Sequence, residues 1–390
     1  MMITSDIQYI GVNDDKIRFF EGQYSVPNGM AYNSYLILDE KIVVFDTVDG
    51  AFGEEWLAKI QTILKGRSPD YLIVQHMEPD HSANIIRLVK TYPQVTVVAS
   101  NKAFAMMKNF YGDDFATRRK VVDDGEKLSL GSRELTFFTA PMVHWPEVIV
   151  TYDESTKTLF SADAFGKFGS NAVEEDWACE ARRYYFGIVG KYGIQVRALL
   201  KKLENYDIVR ICPLHGPVLE KNIAYYLRLY DTWSGYSVES EGIVIAYTSV
   251  YGNTKEAVEF LKKSIEKLSC IKVVLHDLAC GDCSEVVEDA FRYDTIVLAT
   301  TTYNGDIFPF MRNFIDALVE RNFQNRTVAF IENGSWSPMA TRVMKGMLEK
   351  CKNLSFVETE VKLLSALSKD SEAQLFSLAT ELCKRRDKNE

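Results

Sequence analysis

Residues 76–81 read His-Met-Glu-Pro-Asp-His, which puts four potential metal ligands into six positions directly behind an apolar run at 71–75. In a tight loop alternate side chains converge, so His76, Glu78 and Asp80 can face one point. Three further donors follow apolar runs in the same way: His144 after 135–140, Asp163 after 158–162 and His215 after 207–212. A single histidine or aspartate at a strand end is usually a turn former or a satisfied core residue. Four of the chain's five histidines, however, fall in these loops. Three histidines and three carboxylates, with His81 to spare, exceed what one ion needs. Two ions bridged by a carboxylate at roughly 3.5–4 Å would use them all, and Asp163, isolated in sequence, is the candidate bridge. Oxygen donors mixed with imidazole suit iron or manganese. The fifth histidine, His276, has no carboxylate cluster beside it in the sequence and reads as structural or surface.

A second set of residues lies in the other half. The apolar run 243–248 leads into Ser249-Val250-Tyr251-Gly252-Asn253-Thr254, and a helical pattern follows. Small hydroxyl and amide side chains at a helix N-terminus, with free backbone N–H groups, bind a phosphate without needing Lys or Arg. Neither G-x-G-x-x-G nor G-K-[ST] occurs here, so the loop suits flavin mononucleotide rather than a dinucleotide or a nucleoside triphosphate. Two later loops support this: Thr302-Tyr303-Asn304-Gly305 after the run 294–299, and Asn333-Gly334-Ser335-Trp336 after 326–331. Ligands of open α/β sheets sit beyond the carboxyl ends of strands, and Tyr303 and Trp336 are suitable walls for a flat ring. Cys280 and Cys283 form one C-x-x-C pair, which reads as unpaired loop cysteines and cannot complete a four-cysteine iron site.

These residues require a scaffold that repeats strand ends along one rim. Strand patterns at 31–38 and 41–46 read as a hairpin through Asp39-Glu40, and strand and helix patterns alternate to about residue 232. The polar stretch 234–242 reads as a linker, giving domains 1–238 and 242–390. After it, strands at 243–248, 271–276, 294–299, 326–331 and 356–362 alternate with helices at 254–268, 308–321, 337–351 and 370–385, the pattern of a doubly wound parallel sheet. With 390 residues, 47% of them hydrophobic and 25% charged, both domains can bury a core. The net charge of −9 argues against a nucleic-acid partner. No membrane span or secretory signal is visible, and seven scattered cysteines suit a reducing cytoplasm. The closing run KRRDKNE reads as a solvated tail.

The order H-x-E-x-D-H, then His, Asp and His at increasing distance, resembles the metallo-β-lactamase fold, whose hydrolases carry H-x-H-x-D-H. Glu78 stands where those have the second histidine, and in this the chain resembles the flavodiiron family (A-type flavoproteins). The second half resembles flavodoxin. The resemblance implies an α/β chain with an N-terminal metallo-β-lactamase-like αββα sandwich plus a C-terminal flavodoxin-like doubly wound parallel sheet. It implies two irons, with His76, Glu78 and His144 on one, Asp80 and His215 on the other, Asp163 between them and His81 outside the ligand set. It further implies that FMN relays electrons from a separate donor, a rubredoxin-like protein or a reduced deazaflavin, to irons that reduce dioxygen to water or nitric oxide to nitrous oxide. A head-to-tail homodimer, or a dimer of dimers, is expected, because FMN and iron of one chain would lie too far apart. The competing reading is a zinc hydrolase tethered to a flavodoxin, against which Glu78 and the flavin domain both count. Pro338 departs from the family wording, where many members have a small residue.

Overall fold

The computed structural model describes residues 2–385, so most of the closing charge run lies outside the described residues. The chain divides into two compact units, Met1–Ser234 and Gly235–Glu390.

The first unit is built from two facing sheets. One has six strands in the order Ile7–Tyr9, Tyr35–Ile37, Val43–Phe45, Tyr71–Ile73, Thr96–Ala99 and Arg119–Val121. The other has five: Lys127–Ser129, Glu134–Thr139, Ile149–Asp153, Thr158–Phe160 and Arg210–Cys212. Alternation along a strand sends successive side chains to opposite faces. Val43 and Phe45 therefore join Phe137, Ile149 and Phe160 between the sheets, with Phe45 stacked on Phe160 at 4.0 Å. Val44 faces the other way and packs with Trp56, Ile60, Leu88 and Phe104 from the covering helices. A helix at Gly193–Leu203 follows the second sheet's fourth strand. This is the expected αββα sandwich.

In the second unit, strands Val273–Asp277, Ser240–Tyr247, Tyr293–Tyr303 and Thr327–Asn333 lie side by side in that order, all parallel. Helices Asn253–Leu268 and Lys369–Lys384 bury Leu261, Ile265, Leu375 and Leu378 against one face, on Ile243, Ile245 and Val297. The strand order is that of a flavodoxin-like sheet, as expected.

Four local expectations need correction. The run 31–38 is two strands, Met30–Tyr32 and Tyr35–Ile37, because Asn33 and Ser34 bond elsewhere. Asn33 Nδ2 donates to the carbonyls of Pro213 and Gly216 at 2.8 and 2.7 Å, and Ser34 Oγ to that of Phe45 at 2.8 Å. The run 356–362 also divides, into Ser355–Phe356 and Val361–Leu363. Between them the N–H groups of Glu358 and Thr359 donate to the Glu381 carboxylate rather than to a neighbouring strand. A helix at Cys283–Arg292 was not foreseen, and it takes Cys283 out of the loop. The stretch 234–242 is shorter as a connection than expected, since Ser234 ends one helix and Ser240 begins a strand.

Candidate metal centre and flavin site

Each expected ligand sits just beyond a strand. His76 follows Tyr71–Ile73, His144 follows Glu134–Thr139, Asp163 follows Thr158–Phe160 and His215 follows Arg210–Cys212. Glu78 immediately precedes a four-residue helix, Pro79–Ser82, within which Asp80 and His81 are buried. Gly166 lets the chain turn sharply behind Asp163, since a Cβ there would lie 2.9 Å from the Asp163 carbonyl and 3.3 Å from His215 Cβ.

The side chains gather into two adjoining groups. His76 Nε2 lies 3.2 Å from Glu78 Oε2 and 3.6 Å from Asp163 Oδ2. His144 Nε2 lies 3.0 and 3.2 Å from the same two oxygens. In the second group Asp80 Oδ2 is 3.3 Å from His81 Nε2 and 3.4 Å from His215 Nε2. Asp163 spans both: Oδ2 faces the first group, while Oδ1 is 3.3 Å from His81 Nε2 and 3.9 Å from His215 Nε2. All six expected ligands are thus brought together. His81, expected outside the set, stands inside the second group.

The donor chemistry fits cations. His76 Nδ1 is turned to Glu147 Oε1 at 2.9 Å, and His215 Nδ1 to the Ala31 carbonyl at 2.7 Å. A neutral imidazole that donates from Nδ1 presents a bare lone pair at Nε2. His215 Nε2 nevertheless lies 3.0 Å from His81 Nε2, and His76 Nε2 faces two carboxylate oxygens. Such atoms repel unless a proton or a metal ion lies between them. Both oxygens of Asp80 and Oδ1 of Asp163 are buried without a hydrogen-bond partner, a cost that coordination removes. Donors about 2.1 Å from a shared ion stand about 3 Å from one another, which is the spacing seen within each group.

The groups polarise one another strongly. Burial opposes charge on Asp163, but His76 and His81 hold its carboxyl well below the usual range. Burial likewise opposes charge on His144, yet hydrogen bonds to Asp163 and Glu78 raise it to about 9. Burial pushes Asp80 up to about 7, and burial with the neighbouring His81 pushes His215 down to about 4.

Aromatic rings wall the centre. Trp145 lies 5.3 Å from the His76 ring, and Phe20 and Tyr32 lie 5.4 and 5.9 Å from His215. Met77 and Phe165 serve packing instead, Phe165 stacking on Tyr230 at 4.1 Å. Sequence reasoning missed Glu147 and the Ala31 carbonyl. Glu147 carried a faint signal, a carboxylate three positions after His144; a backbone carbonyl carries none.

In the second unit a cavity of about 500 Å³ opens beyond the carboxyl ends of the parallel strands. It is lined by every residue expected to bind the cofactor except Gly252, and additionally by Thr301, Ser337, Met339 and Ser365. Gly252 holds the loop instead, at φ +94°, with its N–H donating to Ser249 Oγ at 3.1 Å. Thr301 Oγ1 is buried without a partner. Tyr251 and Trp336 are 92% and 82% exposed, large aromatic faces left uncovered beside a polar cavity. His276 pairs with Asp289 at 2.8 Å, a structural contact.

Comparison with known proteins agrees with both halves. Residues 30–216 match the ODP family beta lactamase, and residues 244–361 match a flavodoxin domain. A rubredoxin oxygen:oxidoreductase from Desulfovibrio gigas superimposes with a TM-score of 0.91 over 99% of this chain and 98% of its own, at 24% identity, which shows a shared fold. A nitric oxide reductase of Moorella thermoacetica is 30% identical over 364 residues, 90% of each chain. The chain belongs to the flavodiiron family. A type A flavoprotein of Rhodobacter capsulatus, 28% identical over 90% of this chain and 83% of its own, falls in with it. The flavodiiron chain is accordingly an oxidoreductase, and its cofactors are FMN and a di-iron centre, as the sequence reading expected. No helix among the described residues is long and apolar enough to cross a membrane.

Proposed function

We propose that this flavodiiron protein is a gas reductase whose irons are held by residues of 1–238 and whose flavin is held by 242–390. His76, Glu78 and His144 hold one iron, Asp80 and His215 the other with His81 against it, and Asp163 joins them. The observation that carries this reading is the Asp163 carboxylate, which turns one oxygen to each histidine group at 3.2 Å and 3.3 Å. When bound, FMN would supply one-electron transfer from an external donor, and the iron pair would supply the reduction of a diatomic gas.

The chain's own residues orient and enclose. Glu147 and the Ala31 carbonyl fix two imidazoles in the tautomer that points Nε2 at the centre. Phe20, Tyr32 and Trp145 pack against the ligand rings and shield the centre from bulk water. The phosphate of FMN is taken by the backbone N–H groups at 249–254, and its ring by Tyr303 and Trp336. Carboxylates mixed with imidazoles suit iron, and the first reading is dioxygen, reduced with four electrons and four protons to two waters. Nitric oxide, two molecules with two electrons and two protons giving nitrous oxide and water, is the second reading, favoured by the Moorella relative's name. The donor is a rubredoxin-like protein or a reduced deazaflavin, the working form is a head-to-tail dimer, and seven cysteines scattered through the sequence support a place in the cytoplasm.

The test is anaerobic reduction of protein loaded with flavin and iron, followed by parallel measurement of oxygen and nitric oxide consumption. Faster oxygen turnover supports the first reading and faster nitric oxide turnover the second. Indifference to both gases overturns the proposal.

A further inference from the structure

The two halves of the centre are backed unequally. His76 Nδ1 meets a carboxylate, Glu147, at 2.9 Å, whereas His215 Nδ1 meets a neutral carbonyl at 2.7 Å and His81 Nδ1 has no hydrogen-bond partner. Glu147 is 2% exposed. Its Oε1 also accepts the Met77 N–H at 2.9 Å, and its Oε2 is buried without a partner. Among the described residues its ionic partner is His76. Its backbone is pinned by Ser100, whose Oγ donates to the Glu147 carbonyl at 2.7 Å. Burying a carboxylate this deeply without Lys or Arg is costly.

A carboxylate behind a metal-binding imidazole pushes electron density onto the coordinating nitrogen and strengthens it as a ligand, more than a neutral carbonyl does. We propose that Glu147 is a positioning residue that makes the two iron positions unequal, so that the position formed by His76, Glu78 and His144 binds iron more tightly and fills first. This rests on the reading that the centre takes iron.

The full-length chain, freed of metal, is titrated anaerobically with ferrous iron-57 and followed by Mössbauer spectroscopy. At one iron per chain the wild type should show one iron environment, and a second should appear only on further addition. His215→Ala, which cripples the other position, should retain the first environment. Glu147→Gln, which keeps an acceptor for His76 but removes the charge, should weaken the first position about 10–100-fold and spread one equivalent over both, with flavin content unchanged. Simultaneous filling in the wild type overturns the proposal, as does Glu147→Gln that fills in the wild-type order. Should Glu147→Gln fail to fold, simultaneous filling in the wild type would still overturn the proposal, and Glu147→Asp, which keeps the charge, should fill in the wild-type order. A wild-type chain that takes up no iron at all refutes instead the reading of the centre, a result distinct from uptake without order.

Discussion

Asp163 is the side chain on which both histidine groups depend, because each of its oxygens serves a different group. Asp163→Ala should leave the sandwich folded but remove the bridge. Changes behind the ligands already cost about 10–100-fold in such sites, so this one should lower gas reduction by more than about 100-fold and reduce iron below two per chain by metal analysis. Acidity works on the same atoms. Iron must displace protons from its ligands, and His144, raised to about 9, holds one at neutral pH. Despite its burial, His76 is likewise held well above the usual imidazole range by Asp163, Glu147 and Glu78, so protonation competes with metal and apparent iron affinity should rise with pH from neutral through about 9. A chelator competition series, with proton release followed in weak buffer, would show it, and affinity independent of pH would contradict it. The six proposed ligands were legible in the sequence because each lies within a few residues of the end of an apolar strand. Glu147 was not, since its partner His76 is 71 positions away and only the fold joins them.

Elements set the loops, and loops set the cofactor. Gly252 sits at φ +94° with no atom within 4 Å of where a Cβ would stand, so its constraint is conformational rather than steric. A side chain in that region costs about 1–2 kcal/mol, so Gly252→Ala should weaken FMN binding roughly 5–30-fold, measured by fluorescence titration of the flavin-free protein. Iron content should not change; if it falls too, the loop has a wider structural part than assigned here. At this scale the sequence was readable wherever hydrophobic periodicity was long, as in Asn253–Leu268 and Tyr293–Tyr303. It was unreadable where polar side chains redirect the backbone. Asn33 interrupts one strand run by gripping the turn that carries His215, and Glu381 interrupts another from a helix 22 residues away. The helix Cys283–Arg292 escaped notice because its cap, Asp282, lies inside a C-x-x-C pair that reads as a loop.

For the whole molecule the open matter is which flavin serves which irons. A head-to-tail dimer makes a definite demand: the flavin unit of one chain faces the iron unit of its partner, so two chains with complementary defects can repair one another. Asp163→Ala supplies a chain with flavin but a damaged iron centre. Ser249→Asp supplies the reverse, since a carboxylate in the 249–254 loop repels the FMN phosphate. Each alone should be nearly inactive. Mixed under conditions that let subunits exchange, they should form dimers in which the flavin of the first chain faces the intact irons of the second, and gas consumption should appear. Appearance at a rate that follows subunit exchange, rather than electron donor concentration, would place the transfer between chains. If exchange is demonstrated by labelled subunits and the mixture stays inactive, each flavin serves its own chain, and the head-to-tail arrangement has no catalytic part.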